Sequence, residues 1–126
     1  MNNTINNKIS FNGNIITKGK WTPVLKETFI NNEEVKKLAS GKHDIIGRMS
    51  KQKANAHDIY HDRGENLYKL TLEATSSVSD KIKSFLGLNK KSVEIMQNYH
   101  SEDSTSRIMT KRINSDTIAK KLNINL

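Results

Sequence analysis

The stretch Tyr68-Lys69-Leu70-Thr71-Leu72-Glu73-Ala74 decides the fold, because its apolar and polar side chains alternate without a break. Successive side chains of an extended chain point to opposite faces, so this pattern predicts a half-buried strand over 66–74. Helical spacing also fits Leu67, Leu70 and Ala74, so a helix over the same residues is the alternative. A strand here would give the chain a sheet as well as helices.

Turn and cap residues predict the elements around this strand. Asn12-Gly13 lies between two short apolar stretches and tolerates the positive φ of a hairpin turn, which predicts a β-hairpin over 8–18. The polar residues 1–7 are predicted to form a disordered tail. Thr22-Pro23 is typical of a helix start. Helical spacing and caps predict further helices near 32–40, 44–62, 80–86, 90–99 and 116–122.

These elements predict an α+β fold that is mainly helical, with a small N-terminal hairpin and one further strand. Residues 8–126 are expected to form a single domain, because a chain of 126 residues is close to the commonest domain size. Apolar residues make up only 34% of the chain, so the core is expected to be modest.

Composition excludes several classes of protein and site. The absence of cysteine excludes disulfides, thiolate nucleophiles and cysteine-ligated zinc. No apolar run approaches the roughly 20 residues that span a bilayer, so no membrane span is predicted. The Asn-rich start lacks the apolar stretch of a cleaved signal peptide. A cytoplasmic location is expected, and secretion by a route that needs no cleaved signal peptide is the alternative.

The chain is strongly basic, with a formal net charge of +8 and a pI near 9.7. Residues 81–126 carry much of this excess, with nine basic and four acidic side chains. Such a balance favours polyanionic partners, either nucleic acid or an acidic protein. The basic residues are mostly lysine in a chain rich in Asn and Ile, a composition that an AT-rich genome also produces without any selection for charge.

The segment 80–96 has the pattern of two helices joined by a sharp turn. Gly87 can adopt the left-handed backbone of such a turn, and Leu86 and Leu88 can anchor it to a core. The stretch Leu86-Gly87-Leu88-Asn89-Lys90-Lys91-Ser92-Val93 resembles the turn of bacterial LuxR-type helix-turn-helix regulators. A plain αα-hairpin with a glycine turn fits the same residues and is the alternative.

The resemblance implies a second helix that enters the major groove of duplex DNA. The spacing of Val93 and Met96 fits the inner face of that helix. The outward side chains, together with basic residues later in the chain, would then contact bases and phosphates. These candidate nucleic-acid-binding residues are Lys81, Lys83, Asn89, Lys90, Lys91, Ser92, Arg107, Lys111 and Arg112.

Four residues are candidates for catalysis in a different interpretation. His57 and His61 have the spacing of one helical face, and His100 and Arg63 supply a further titratable group and a cation. A metal-free ribonuclease needs a base, an acid and a cation at the phosphate, which these residue types provide. The chain has no HExxH pattern, Walker loop or dinucleotide-binding glycine motif, so no metal or cofactor site is predicted. Aromatic residues are only 6% of the chain, and no paired stacking platform is predicted.

Three functions remain open from the sequence. The first is a non-enzymatic nucleic-acid-binding protein, such as a bacterial or phage helix-turn-helix regulator, either monomeric or a homodimer. The second is a secreted bacterial effector or toxin with an uncleaved Asn-rich export signal, for which the ribonuclease chemistry is the enzymatic version. The third is an interaction module without enzymatic activity, which binds an acidic protein partner.

Overall fold

The computed structural model describes residues 13–75 and 91–126, which form a four-stranded sheet and five helices. The strands are β1 (Ile15–Gly19), β2 (Asp44–Lys53), β3 (Asn66–Thr75) and β4 (Ser92–His100). The helices are α1 (Pro23–Ile30), α2 (Glu33–Ala39), α3 (Ile59–Asp62), α4 (Glu102–Arg112) and α5 (Ser115–Leu122).

The sheet is mixed, with its strands in the order β1-β2-β3-β4. β1 lies parallel to β2, and α1 and α2 form the crossover connection that a parallel pair requires. The other two pairs are antiparallel. Residues of α1, α2, α4 and α5 share one core cluster with the sheet, so these helices cover one face. We call the opposite face, which carries Arg48, Lys69 and Thr71, the outer face.

The strand predicted over 66–74 is confirmed as β3. Tyr68, Leu70 and Leu72 point to the helices and are at most 2% exposed. Lys69 and Thr71 alternate with them and lie on the outer face. Burial of each large apolar side chain stabilises the fold by about 1.5–3 kcal/mol, so a strand in this register is strongly favoured.

The prediction of a mainly helical fold is wrong, and residues 44–62 show why. They form β2 and the single-turn helix α3 instead of one long helix. Ile45 and Met49 face the core with Gly47 between them, so the strand's period of two is interrupted by a residue without a side chain. Ile46 is also buried, on the outer face, and this adjacent pair of isoleucines imitates a helical stripe.

The helix predicted over 90–99 is also wrong, because residues 92–100 are the strand β4. Leu70 pairs with Met96 and Leu72 with Val93, and the register shifts between these pairs, as at a β-bulge. The shift places Val93 and Met96 on the same face although they are three residues apart. That spacing is typical of a helix, so the bulge explains the error.

The helices predicted near 32–40 and 116–122 are confirmed as α2 and α5. Both begin after asparagine caps, whose side-chain oxygens accept hydrogen bonds from backbone N–H groups of the first turn. Helix α4 begins after Ser101, where the sequence predicted no helix, and its two buried residues are Thr105 and Met109, of which only one is apolar. The predicted tail over 1–7, the first strand of the hairpin over 8–18 and the helix over 80–86 lie outside the described residues.

One carboxylate joins α2 to the start of α5. Glu34 Oε1 accepts hydrogen bonds from the Ser115 backbone N–H at 3.0 Å and from the Ser115 hydroxyl at 3.1 Å. The backbone hydrogen bond is the main cause that lowers the pKa of Glu34 from its ordinary value of 4.5, and the hydroxyl adds to it. Negative charge at a helix N-terminus is favourable, so the ionised carboxylate stabilises the junction.

We expect acid to destabilise the protein and Glu34→Gln to reduce this loss of stability. Because the pKa of Glu34 is lower in the folded than in the unfolded state, its carboxylate stabilises the fold at pH values above the ordinary pKa. This contribution disappears as the pH falls through the folded-state pKa. Urea unfolding at neutral pH and below pH 4 should therefore show a smaller difference in the variant. Glu33→Gln is the matched control, because Glu33 and Glu34 each pair with a lysine three residues later but Glu33 has no bond to Ser115. An equal effect of the two substitutions would contradict the assignment.

Candidate functional site

The outer face presents polar side chains in rows that run across the strands. Cross-strand partners share a face, so the register fixes these rows. One row contains Lys18, Arg48, Thr71 and Glu94, and the next contains Ser50, Lys69 and Gln97. A third row contains Gln52, Leu67 and Tyr99. The core helices lie on the other side of the sheet, so these rows form a surface of their own.

Glu94 of the first row and Glu73, which lies in the adjoining row with Ile46, are both paired with cations. Arg48 Nε donates to the Glu73 carboxylate, which is nearly buried. Lys69 Nζ lies 3.8 Å from Glu94 Oε1. Lys18 is exposed and makes no ion pair with any residue in 13–75 or 91–126. The acidic charge of this part of the face is therefore already compensated, and Lys18 adds positive charge.

A shallow depression of about 320 Å³ lies among these side chains. Its described lining includes the cations Arg48 and Lys69 and the hydroxyl residues Ser50 and Thr71, and none of the described lining residues is acidic. Cations and hydroxyl groups are donors that suit an oxyanion such as phosphate. The remaining lining residues are Gly19 and Met49.

Gly19 allows the end of β1 to lie close to β2 at the edge of the depression. Its φ is +94°, and a Cβ atom there would overlap the Met49 carbonyl oxygen. The next residue continues the contact, because the Lys20 backbone N–H donates to that oxygen at 2.7 Å. A side chain at position 19 would push the strand ends apart, so glycine helps to shape the depression.

A pair of tyrosines borders the outer face at the third row. The rings of Tyr60 and Tyr99 are stacked, with centroids 4.2 Å apart and an interplanar angle of 8°. Asp58 caps α3 by accepting from the Tyr60 backbone N–H at 3.0 Å, which fixes the single turn that carries Tyr60. Tyr60 remains 37% exposed. No local sequence signal indicates this pair, because only the tertiary fold brings Tyr60 and Tyr99 together, and the prediction that the chain has no paired platform for stacking bases stays a prediction.

The predicted nucleic-acid-binding residues do not form one surface in the described part of the chain. Lys81, Lys83, Asn89 and Lys90 lie outside the described residues. Lys91 precedes β4 and Ser92 begins it, so Ser92 is part of a strand and not of a groove-reading helix. The remaining candidates are exposed on α4, which packs on the helix-covered side of the sheet, and they are Arg107, Lys111 and Arg112.

The predicted ribonuclease residues lie around α3 and at the end of β4. His57 and His61 are exposed, Arg63 is the C-cap of α3, and His100 is the last residue of β4. The Arg63 backbone N–H donates to the His61 carbonyl oxygen as part of the helix cap, but no side-chain hydrogen bond or ion pair joins any two of these four residues, all of which the structure describes. Residues 13–75 and 91–126 contain no group of three side chains suited to hold a metal ion. The ribonuclease hypothesis therefore stays a prediction that depends on residue types alone.

No protein-family model, curated protein or solved structure matches this chain. None of the described helices is both long and apolar enough to cross a membrane. Lys69 and Thr71 could have been found from the alternation in β3, whereas Arg48 and the stacked tyrosines carry no local signal.

Proposed function

We propose that the protein binds single-stranded nucleic acid across the outer face of its sheet. The observation that carries the proposal is the depression lined by Arg48, Lys69, Ser50 and Thr71, with no carboxylate among the described residues of its lining. Contacts to phosphate supply most of the affinity of proteins for nucleic acid, and cations and hydroxyl groups make such contacts. Lys18, in the same row as Arg48, extends this cationic surface to the edge strand.

The aromatic pair favours a single strand over a duplex. Proteins that bind single strands combine a cationic track for the backbone with aromatic rings on which exposed bases stack. The outer face has both elements, because the rows that carry Arg48 and Lys69 lead to the row that carries Tyr99. A duplex hides the faces of its bases and would not use the tyrosines. The net charge of +8 is consistent with such a partner.

The test is fluorescence anisotropy with a labelled oligouridylate of about 12 nucleotides, within the usual site sizes of such surfaces. We expect binding at about 50 mM salt that weakens linearly on a plot of log K against log salt. Lys18→Gln should weaken binding and reduce that slope by about 0.7, the value for one phosphate contact to a single strand. The substitution should not affect folding, because the Lys18 side chain is exposed.

Lys121→Gln is the matched control for this experiment. Lys121 is an exposed lysine of α5, on the helix-covered side of the sheet. The Lys121→Gln substitution should leave the affinity for the oligouridylate and the salt slope unchanged. Absence of binding at about 50 mM salt would overturn the proposal. An equal loss in the two lysine variants would do the same, because it would assign the binding to net charge and not to the outer face.

The other interpretations from the sequence stay predictions with separate tests. A ribonuclease would degrade RNA in EDTA and lose this activity in His57→Ala or His61→Ala. An exported effector would lose secretion when residues 1–20 are deleted. A module for an acidic protein would prefer that protein to an oligonucleotide in competition.

A further inference from the structure

The depression and the tyrosine pair are neighbours in the rows of the outer face. Lys69 pairs with Gln97 across β3 and β4, and Tyr99 lies two residues beyond Gln97 on the same face. Lys69 and Tyr99 are therefore diagonal neighbours, a relation that places backbone positions about 7–8 Å apart and within reach of long or aromatic side chains. One end of this diagonal is cationic and the other is aromatic.

We infer that the two features together form a subsite for one nucleotide, an inference that rests on the proposed function. The phosphate occupies the depression, where Arg48 and Lys69 supply charge and Ser50 and Thr71 supply hydroxyl donors. The base stacks on the exposed face of Tyr60. The ligand class is one nucleotide of an unpaired strand, with the phosphate and the base recognised at separate places.

The ring of Tyr99 stacks on the ring of Tyr60 and holds it in place. The Tyr99 ring backs Tyr60 in nearly parallel orientation, so the tyrosine that faces the base has one side already stacked. Asp58 holds the turn on which Tyr60 stands through the backbone bond at 3.0 Å. A side chain fixed in this way loses little conformational freedom when a base binds, which favours the stacked complex.

The arrangement separates two kinds of contact that one experiment can distinguish. Contacts of the depression depend on phosphate alone and are the same for any base. The contact of Tyr60 depends on a base and is absent from an abasic strand. Lys69→Gln should therefore weaken binding of both strands equally, whereas Tyr60→Ala should weaken only the strand that has bases.

The experiment compares the oligouridylate with an abasic oligonucleotide of equal length at one low salt concentration. We expect the protein to prefer the strand with bases about 10-fold, the usual effect of one stacked base. Tyr60→Ala should abolish this preference, and Tyr60→Phe should keep it because the ring remains. Ile59→Ala is the matched control, because Ile59 is exposed on the same turn and offers no ring.

The outcomes separate this inference from the proposed function. An unchanged preference in Tyr60→Ala, with salt-dependent binding retained, overturns the subsite and leaves the proposed function standing. Equal affinity of the unmodified protein for the oligouridylate and the abasic strand also overturns the subsite and leaves the proposed function standing. Absence of binding to either strand overturns both. A loss of preference in Ile59→Ala equal to that in Tyr60→Ala would assign the effect to the turn and overturn the role of the ring.

Discussion

Phe29→Ala is expected to lower the free energy of unfolding by about 3–5 kcal/mol, the usual cost of removing a buried phenylalanine. Phe29 is fully buried in the core cluster. Its ring lies 4.9 Å from that of Trp21, at a tilt of 41°, and it covers Gly47 on β2. The substitution therefore leaves a cavity between α1 and the sheet, and the rigid sheet cannot close around it. A loss of this size is a large part of the stability of an ordinary domain.

Val24→Ala tests whether the effect belongs to burial and not to α1 itself. Val24 lies on the same helix but is 52% exposed, so its truncation should change the free energy of unfolding by no more than about 0.5 kcal/mol. Urea unfolding followed by far-ultraviolet circular dichroism measures both variants. Similar losses in the two would show that Phe29 does not anchor α1 to the sheet.

Gly47→Ala is expected to lower the free energy of unfolding by about 1–3 kcal/mol through overpacking. A Cβ atom at this position would lie 2.5 Å from Phe29 Cζ and 3.1 Å from Trp21 Cζ2. Neither ring is free to move away. Phe29 is fully buried, and Trp21 Nε1 donates to the carbonyl oxygens of Lys18 and Gly47 at 2.8 and 3.1 Å. The absence of a side chain on β2 is thus what lets the two rings pack on the sheet.

A double-mutant cycle distinguishes this clash from a general intolerance of alanine in the strand. Phe29→Leu removes the ring atoms that the new Cβ would meet, so Gly47→Ala should cost at least about 1 kcal/mol less in that background. Gly41→Ala is the control in the unmodified protein, because the nearest atom to a Cβ there is 3.6 Å away. It should change stability by no more than about 0.5 kcal/mol. Additivity within the cycle would refute the packing explanation.

Local pattern predicted the elements whose side chains repeat without interruption. β3 was predictable because every second residue from Tyr68 to Ala74 is apolar. Helix α2 was predictable because the cap Asn32 precedes a compact apolar stripe, and α5 was predictable because Ile118, Ala119 and Leu122 form such a stripe. β2 and β4 were not predictable in this way, since Gly47 interrupts one pattern and the register shift at Ile95 displaces the other.

The candidate site was less accessible to sequence reasoning than the fold. Its residues come from separate strands, and only the register brings Lys18, Arg48 and Lys69 onto one surface. Tyr60 and Tyr99 are far apart in the chain and meet because α3 folds against the end of β4. The net charge favours a polyanionic partner, but it does not indicate which face of the molecule carries the cationic rows.

The parallel pairing of β1 links the site to the local stability of the sheet. Among the described strands, the five-residue β1 has β2 as its one neighbour, and the crossover through α1 and α2 must be complete before the two can pair. Such a strand belongs to the part of a protein that opens first in native-state fluctuations. Opening would carry Gly19 away from the depression and Lys18 away from its cross-strand neighbour Arg48, so an anion bound there would stabilise the paired state of β1.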